Sequence, residues 1–168
     1  MNTDKQEQKI RIDLFSANQE KVISALQTVK EKGNKKYLPL LFDLLLNNPE
    51  TEVEKEIRII LESVKFEDTI PTFGNALLNE KYAPIKKSLL TACWQNGLDF
   101  SNFLPVFIDI IVNDDWETAF EAFTVIDNME SLPDQETIKI SVTKVKNALK
   151  TSTGNKKYFL EEILKKIE

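Results

Sequence analysis

Three stretches of the chain align without a gap: Leu38-Pro39-Leu40-Leu41-Phe42-Asp43-Leu44-Leu45-Leu46-Asn47, Ile70-Pro71-Thr72-Phe73-Gly74-Asn75-Ala76-Leu77-Leu78-Asn79, and Leu104-Pro105-Val106-Phe107-Ile108-Asp109-Ile110-Ile111-Val112-Asn113. Their prolines are 32 and then 34 residues apart. A period of that size marks a stacked helical repeat. Proline suits the first turn of a helix, where its missing N–H would have no partner in any case. Apolar residues just before it, and two, five, six and seven positions after it, trace one broad helical face, so this helix should be largely buried. Asparagine falls eight after each proline (Asn47, Asn79, Asn113). It tolerates the left-handed conformation and suits a helix stop.

A second helix is expected upstream of each of these. Its stripes are Val22, Ile23, Leu26 and Val29; Val53, Ile57, Ile60, Leu61 and Val64; and Ile85, Leu89, Leu90 and Cys93. A fourth stripe, Ala119, Phe120, Phe123 and Ile126, would open another repeat. Gly33 and Gly97 stand two periods apart, where a left-handed residue would close a helix. Ser16-x-x-Gln19 and Asp114-x-x-Glu117 have the form of capping boxes, and Asn48-Pro49 that of a cap before a first-turn proline.

The unit is thus helix, short turn, helix, short turn. Residues 1–15 read as a leading helix or cap through Ile10, Leu14 and Phe15. Residues 16–47, 48–79 and 80–113 are clear repeats, and 114–168 are degenerate repeats or a C-terminal cap, all within one domain of 1–168. Ile138, Val142, Val145 and Leu149 predict one late helix, and Leu160, Ile163, Leu164 and Ile167 another. Gly154-Asn155-Lys156-Lys157-Tyr158 repeats Gly33-Asn34-Lys35-Lys36-Tyr37 letter for letter.

The 168 residues hold four glycines and six prolines, fewer than an all-β chain spends on turns. The fold class expected is all-α. Histidine is absent, which removes the usual metal ligand and the usual base at neutral pH. The single Cys93 leaves no zinc set and no internal disulfide. Asp114-Asp115 and Glu161-Glu162 are adjacent on helices, so their side chains diverge by about 100° and do not face one another. The glycines are isolated, so there is no phosphate-cradling loop. No enzyme activity, cofactor or metal is expected. A polar N-terminus without an apolar run, and no stretch of 18 apolar residues, point to a cytoplasmic protein rather than a secreted or membrane-spanning one.

Charge is segregated. Residues 1–39 carry +3, residues 40–138 carry −13 and residues 139–168 carry +5, for a net −5. An acidic middle favours a basic partner and repels phosphate. Asp43, Asn75 and Asp109 share the column four after the proline and should form a polar ladder on an exposed edge. Trp116, Trp94 and Tyr82 are the large aromatics expected to be at least partly exposed. Asp43, Asn75, Asp109 and Trp116 are the candidate partner-binding residues. Lysines cluster at 30, 32, 35 and 36 and again at 144, 146, 150, 156 and 157, but the acidic middle interrupts any continuous basic groove, and only Arg11 and Arg58 are available for bidentate contacts.

The Leu38-Pro39, Ile70-Pro71 and Leu104-Pro105 openings with Asn47, Asn79 and Asn113 resemble HEAT repeats of the bacterial, armadillo-like type, over about residues 16–130. Arg58 and Lys86 are partial matches to the basic residue that such repeats carry early in the first helix. The resemblance implies a right-handed superhelix, an α-solenoid of antiparallel helix pairs with about four to five repeats and the second helices on the concave side. It also implies a non-enzymatic scaffold or adaptor that binds a protein partner, and the acidic middle of the chain gives that partner a basic segment and the solenoid an acidic binding surface. Some HEAT-like families bind nucleic acid or repair alkylated DNA, and others are phycobilin lyases. The DNA-related reading is the alternative here, with salt-dependent self-association a third.

Overall fold

The computed structural model describes residues 2–33 and 35–168. Among the described residues ten α-helices follow one another: α1 (Asn2–Leu14), α2 (Gln19–Lys32), α3 (Leu38–Leu46), α4 (Thr51–Glu62), α5 (Ile70–Leu78), α6 (Lys86–Asn96), α7 (Leu104–Asn113), α8 (Trp116–Asp127), α9 (Gln135–Leu149) and α10 (Gly154–Ile167). No strand occurs among the described residues, so the protein is all-α. None of the described helices is long and apolar enough to cross a membrane.

The prolines do what their positions predict. Pro39, Pro71 and Pro105 each lie in the first turn of α3, α5 and α7, and each of these helices is preceded by a short 3-10 turn. The even-numbered helices α2, α4, α6, α8 and α10 pack in succession, each on the next. On the other side α5 packs on α7 and α7 on α9. Backbones also come close within α1/α2, α3/α4, α5/α6, α7/α8 and α9/α10. The leading helix α1 is therefore a packing partner of α2.

The core runs continuously along the row. Phe42, Phe73, Phe100 and Phe107 are fully buried and meet edge to face, with centroids 5.5 Å apart for Phe42–Phe73, 6.0 Å for Phe73–Phe100 and 6.4 Å for Phe100–Phe107. Edge-to-face rings are worth about 0.5–1.5 kcal/mol beyond their burial. Gly74 makes a further close approach possible, that of the Phe103 ring. A Cβ there would stand 2.0 Å from a Phe103 ring carbon, so close packing explains a glycine inside α5.

Several helix ends differ from expectation. α2 is capped by Asn18, whose side chain accepts from Lys21 N, and not by Ser16. The cap of α8 is Asp115, accepting from Thr118 N, and not Asp114. In both cases the residue nearer the first helical turn takes the orphan N–H groups. α4 begins at Thr51 without a side-chain cap, so Asn48-Pro49 does not start it. Gly33 and Gly97 close α2 and α6 in the left-handed region as expected. Asn47 and Asn79 cap the ends of α3 and α5 as expected, but with negative φ; Asn113 is still helical, and the left-handed residue after α3 is Asn48 at φ 50°. The third first-helix is shortened. Pro84 lacks the N–H of an α ladder, so residues 80–85 form a 3-10 segment holding Ile85, and α6 starts at Lys86. The shared pentapeptide also serves two purposes: Gly33 ends α2, while Gly154 opens α10. Asn34 of the first copy lies outside the described residues.

Candidate functional site

Asp43, Asn75 and Asp109 lie on α3, α5 and α7. Asn75 and Asp109 are exposed and Asp43 is half-buried. The two carboxylates are not waiting for a partner. Asp43 accepts from Lys81 Nζ at 2.5 Å and from the Tyr82 hydroxyl at 2.8 Å. Asp109 takes Lys144 Nζ on both oxygens, at 2.6 and 2.8 Å. The hydrogen bond to Asp43 raises the pKa of Lys81 above its ordinary value, and burial followed by the same carboxylate raises that of Tyr82. Asp43 therefore ties α3 to residues 80–85 and Asp109 ties α7 to α9, whereas no side-chain tie holds the exposed Asn75 among the described residues. Tyr82, expected among the exposed aromatics, is only 8% exposed. Its ring meets Phe42 edge to face at 5.7 Å, because the 3-10 segment lays it against α3.

A second set of ties runs between successive even-numbered helices. Gln19 bonds Glu52 and Gln27 bonds Glu56. Lys86 pairs with Asp114 at 2.8 Å, and Lys87 pairs with Glu117, which holds the Lys87 pKa up. Thr91 and Trp94 Nε1 both donate to Glu121, at 2.9 and 2.8 Å. Trp94 is thus half-buried packing with its N–H satisfied. Lys86 ties α6 to the junction of α7 and α8, whereas Arg58 pairs within its own helix, with Glu54 at 2.7 Å.

Trp116 is exposed, at 52%, and stands apart from the Asp43 column, at the start of α8. Its ring stacks on Phe120 with centroids 5.7 Å apart and planes 14° apart. Phe120 is itself 44% exposed, although its place in an apolar stripe predicts core. The face of α8 turned inward uses the smaller Ala119, Ala122, Val125 and Ile126 instead. Phe120 reaches Phe159 of α10 at 6.1 Å, Phe159 stacks on Phe123 at 4.6 Å, and Tyr158, 56% exposed, stands beside Phe159. An exposed aromatic pair on α8 thus packs onto the buried Phe159 of α10. Of its members the sequence reading picked out Trp116 alone. The missed signal was the i,i+4 spacing of Trp116 and Phe120. Phe15, placed with the core of the leading helix, is also exposed.

No group of three potential ligands among the described residues could hold a metal ion. The Cys93 thiol is buried, and desolvation pushes its pKa up, away from the reactive thiolate. Asp114 is held by Lys86, Glu162 bonds Lys165 at 2.6 Å, and Glu161 lies 3.9 Å from Lys157. Asp115 caps α8, and the Thr118 N–H lowers its pKa. These carboxylates have structural partners. No protein-family model matches the chain, and no curated protein matches it.

Proposed function

We propose that the protein is a HEAT-like α-solenoid that acts as a non-enzymatic interaction scaffold, binding a protein partner through the Trp116–Phe120 surface. The observation that carries this is the exposed, stacked aromatic pair on α8. Aromatic side chains dominate binding hot spots, and clustered exposure of this kind is otherwise a solubility cost. The row of even-numbered helices supports the solenoid reading, because a stack built by packing each unit on the next presents extended surfaces. The acidic middle of the chain, −13 over residues 40–138, favours a partner with a basic segment. An Arg or Lys of that segment can sit on the Trp116 face.

Nucleic-acid binding has less support. Four of the C-terminal lysines are engaged internally: Lys144 with Asp109, Lys146 with Glu168, Lys150 with Asn147, and Lys156 with the carbonyls of Val112 and Asp114. The test is capture of partners from source lysate by wild type and by Trp116→Ala/Phe120→Ala, with and without nuclease. Loss of a nuclease-resistant partner with the folded variant supports the reading. Identical capture by both proteins, or capture that depends on DNA, removes it.

A further inference from the structure

A column at a spacing of 32 residues runs Gly33, Lys65, Gly97, Met129. At the seam between α4 and α6, Lys65 spans the gap and donates to the carbonyl of Asn96 at 2.5 Å. Gly33 has no side chain to span the seam one step earlier. There the structure has a cleft of about 390 Å³, open to solvent. Its floor is apolar, with Val29, Tyr37, Leu41, Ile60 and Val64, and the exposed Phe66 forms one wall. Its rim carries Lys30, Lys32, Lys35 and Lys65 against one acid, Glu31. Lys35 is paired with Asp68, and Lys65 is committed to Asn96. Among the described residues Lys30 and Lys32 have no carboxylate partner. The related cleft at Gly97 has acids instead, Asp99 and Glu130, so the basic rim belongs to this seam alone of the two.

We propose that this cleft binds an acidic linear segment of a partner protein, one large apolar side chain entering between α2 and α4 and flanking Asp or Glu residues meeting Lys30 and Lys32. The volume lies at the low end of the roughly 300–1,000 Å³ typical of ligand sites. Such sites enclose most of a small molecule, whereas this one is partly open to solvent. That suits a side chain projecting from an extended backbone that stays in solvent. Charge complementarity decides the flanks: two unpaired ammonium groups beside an apolar floor attract carboxylates and repel basic segments. The site is separate from the Trp116 surface and rests only on the reading of the chain as a protein-binding scaffold.

The experiment is selection of a displayed random-peptide library on the full chain. Enriched peptides are then measured against wild type, Lys30→Glu/Lys32→Glu, Ser63→Trp and Trp116→Ala. Ser63 is an exposed residue of the cleft mouth, so a tryptophan there fills the cleft without entering the core. The expected result is a consensus of Leu, Phe, Ile or Met between acidic residues. Its affinity should fall about tenfold or more in both cleft variants, weaken with salt and be unchanged by Trp116→Ala. Enrichment of basic peptides, or of peptides that bind the cleft variants as well as wild type, overturns the proposal. If that binding is lost only with Trp116→Ala, the scaffold reading survives without the cleft. If no peptide is enriched, the cleft proposal falls, while the scaffold reading is judged by the lysate capture.

Discussion

Tyr82 donates its hydroxyl proton to Asp43 across 2.8 Å, tying the 3-10 segment before α6 to the middle of α3, 39 residues upstream. The phenol is buried, so its oxygen depends on this bond and on Lys81 for a polar environment. Asp43→Ala should cost about 1–3 kcal/mol, the range for leaving a buried polar group unmatched, and Tyr82→Phe about 0.5–1.5 kcal/mol. Urea unfolding of the two single variants and the double variant measures the coupling. A free ligand-binding carboxylate would instead give a change within about 0.5 kcal/mol.

Burial of Tyr82 and the bond from Lys81 to Asp43 should together set an alkaline limit. Tyr82 and Lys81 both have pKa values raised in the folded state, from 10.0 and 10.5. A raised folded value contributes stability that is present below the unfolded pKa and lost as pH rises through the folded one. Thermal unfolding should therefore show a fall in Tm beginning near pH 10, smaller in Tyr82→Phe than in wild type. Equal slopes for the two proteins would show that this cluster does not set the limit.

At the acid end the sign reverses. Asp115 and Asp134 have pKa values lowered from 3.8, first by the backbone N–H groups of Thr118 and Thr137. Their contribution is present above the unfolded pKa and lost as pH falls through the folded value. Asp134→Ala should lower Tm at pH 7, and the gap from wild type should close as pH drops below about 4. A gap that persists unchanged in acid would mean that the cap acts through its shape alone.

Gly74 and Phe103 define a packing limit. With the added Cβ 2.0 Å from the ring, Gly74→Ala should destabilise by about 1–3 kcal/mol despite alanine's better helix propensity. Phe103→Leu should recover part of this in the double variant. Denaturant midpoints for the set decide, and a stabilising Gly74→Ala would mean that the ring swings aside freely.

Core and surface aromatics should separate cleanly. Phe73→Ala removes a fully buried ring from the edge-to-face row and should cost about 3–5 kcal/mol. Trp116→Ala should stay within about 0.5–1.5 kcal/mol, the worth of its stack on Phe120. Calorimetry of both variants tests the contrast, and a large loss at Trp116 would make that ring structural.

Much of the helical architecture was legible because its causes are local. A proline in the first turn, a glycine at the end of α2 or α6 and an apolar stripe act within a few residues, so α3, α5 and α7 could be located from one short pattern. The caps were missed by one or two residues, since Asn18 and Asp115 compete with neighbours of similar chemistry. Phe120 was misplaced because a stripe does not say how wide the buried face of α8 is. The small Ala119 and Ala122 already fill it, which leaves the ring outside.

The sequence by itself determined the period, the helix class and the segregation of charge, all of which follow from residue types at short spacing. Only the tertiary structure decided which groups remain available. Asp43 and Asp109 are neutralised by Lys81 and Lys144, 38 and 35 residues further along the chain. Trp116 and Phe120 stay in solvent, while Lys30 and Lys32 face an open seam. Ion pairing and exposure depend on which helices come to lie side by side, and that is a property of the stack rather than of any one repeat.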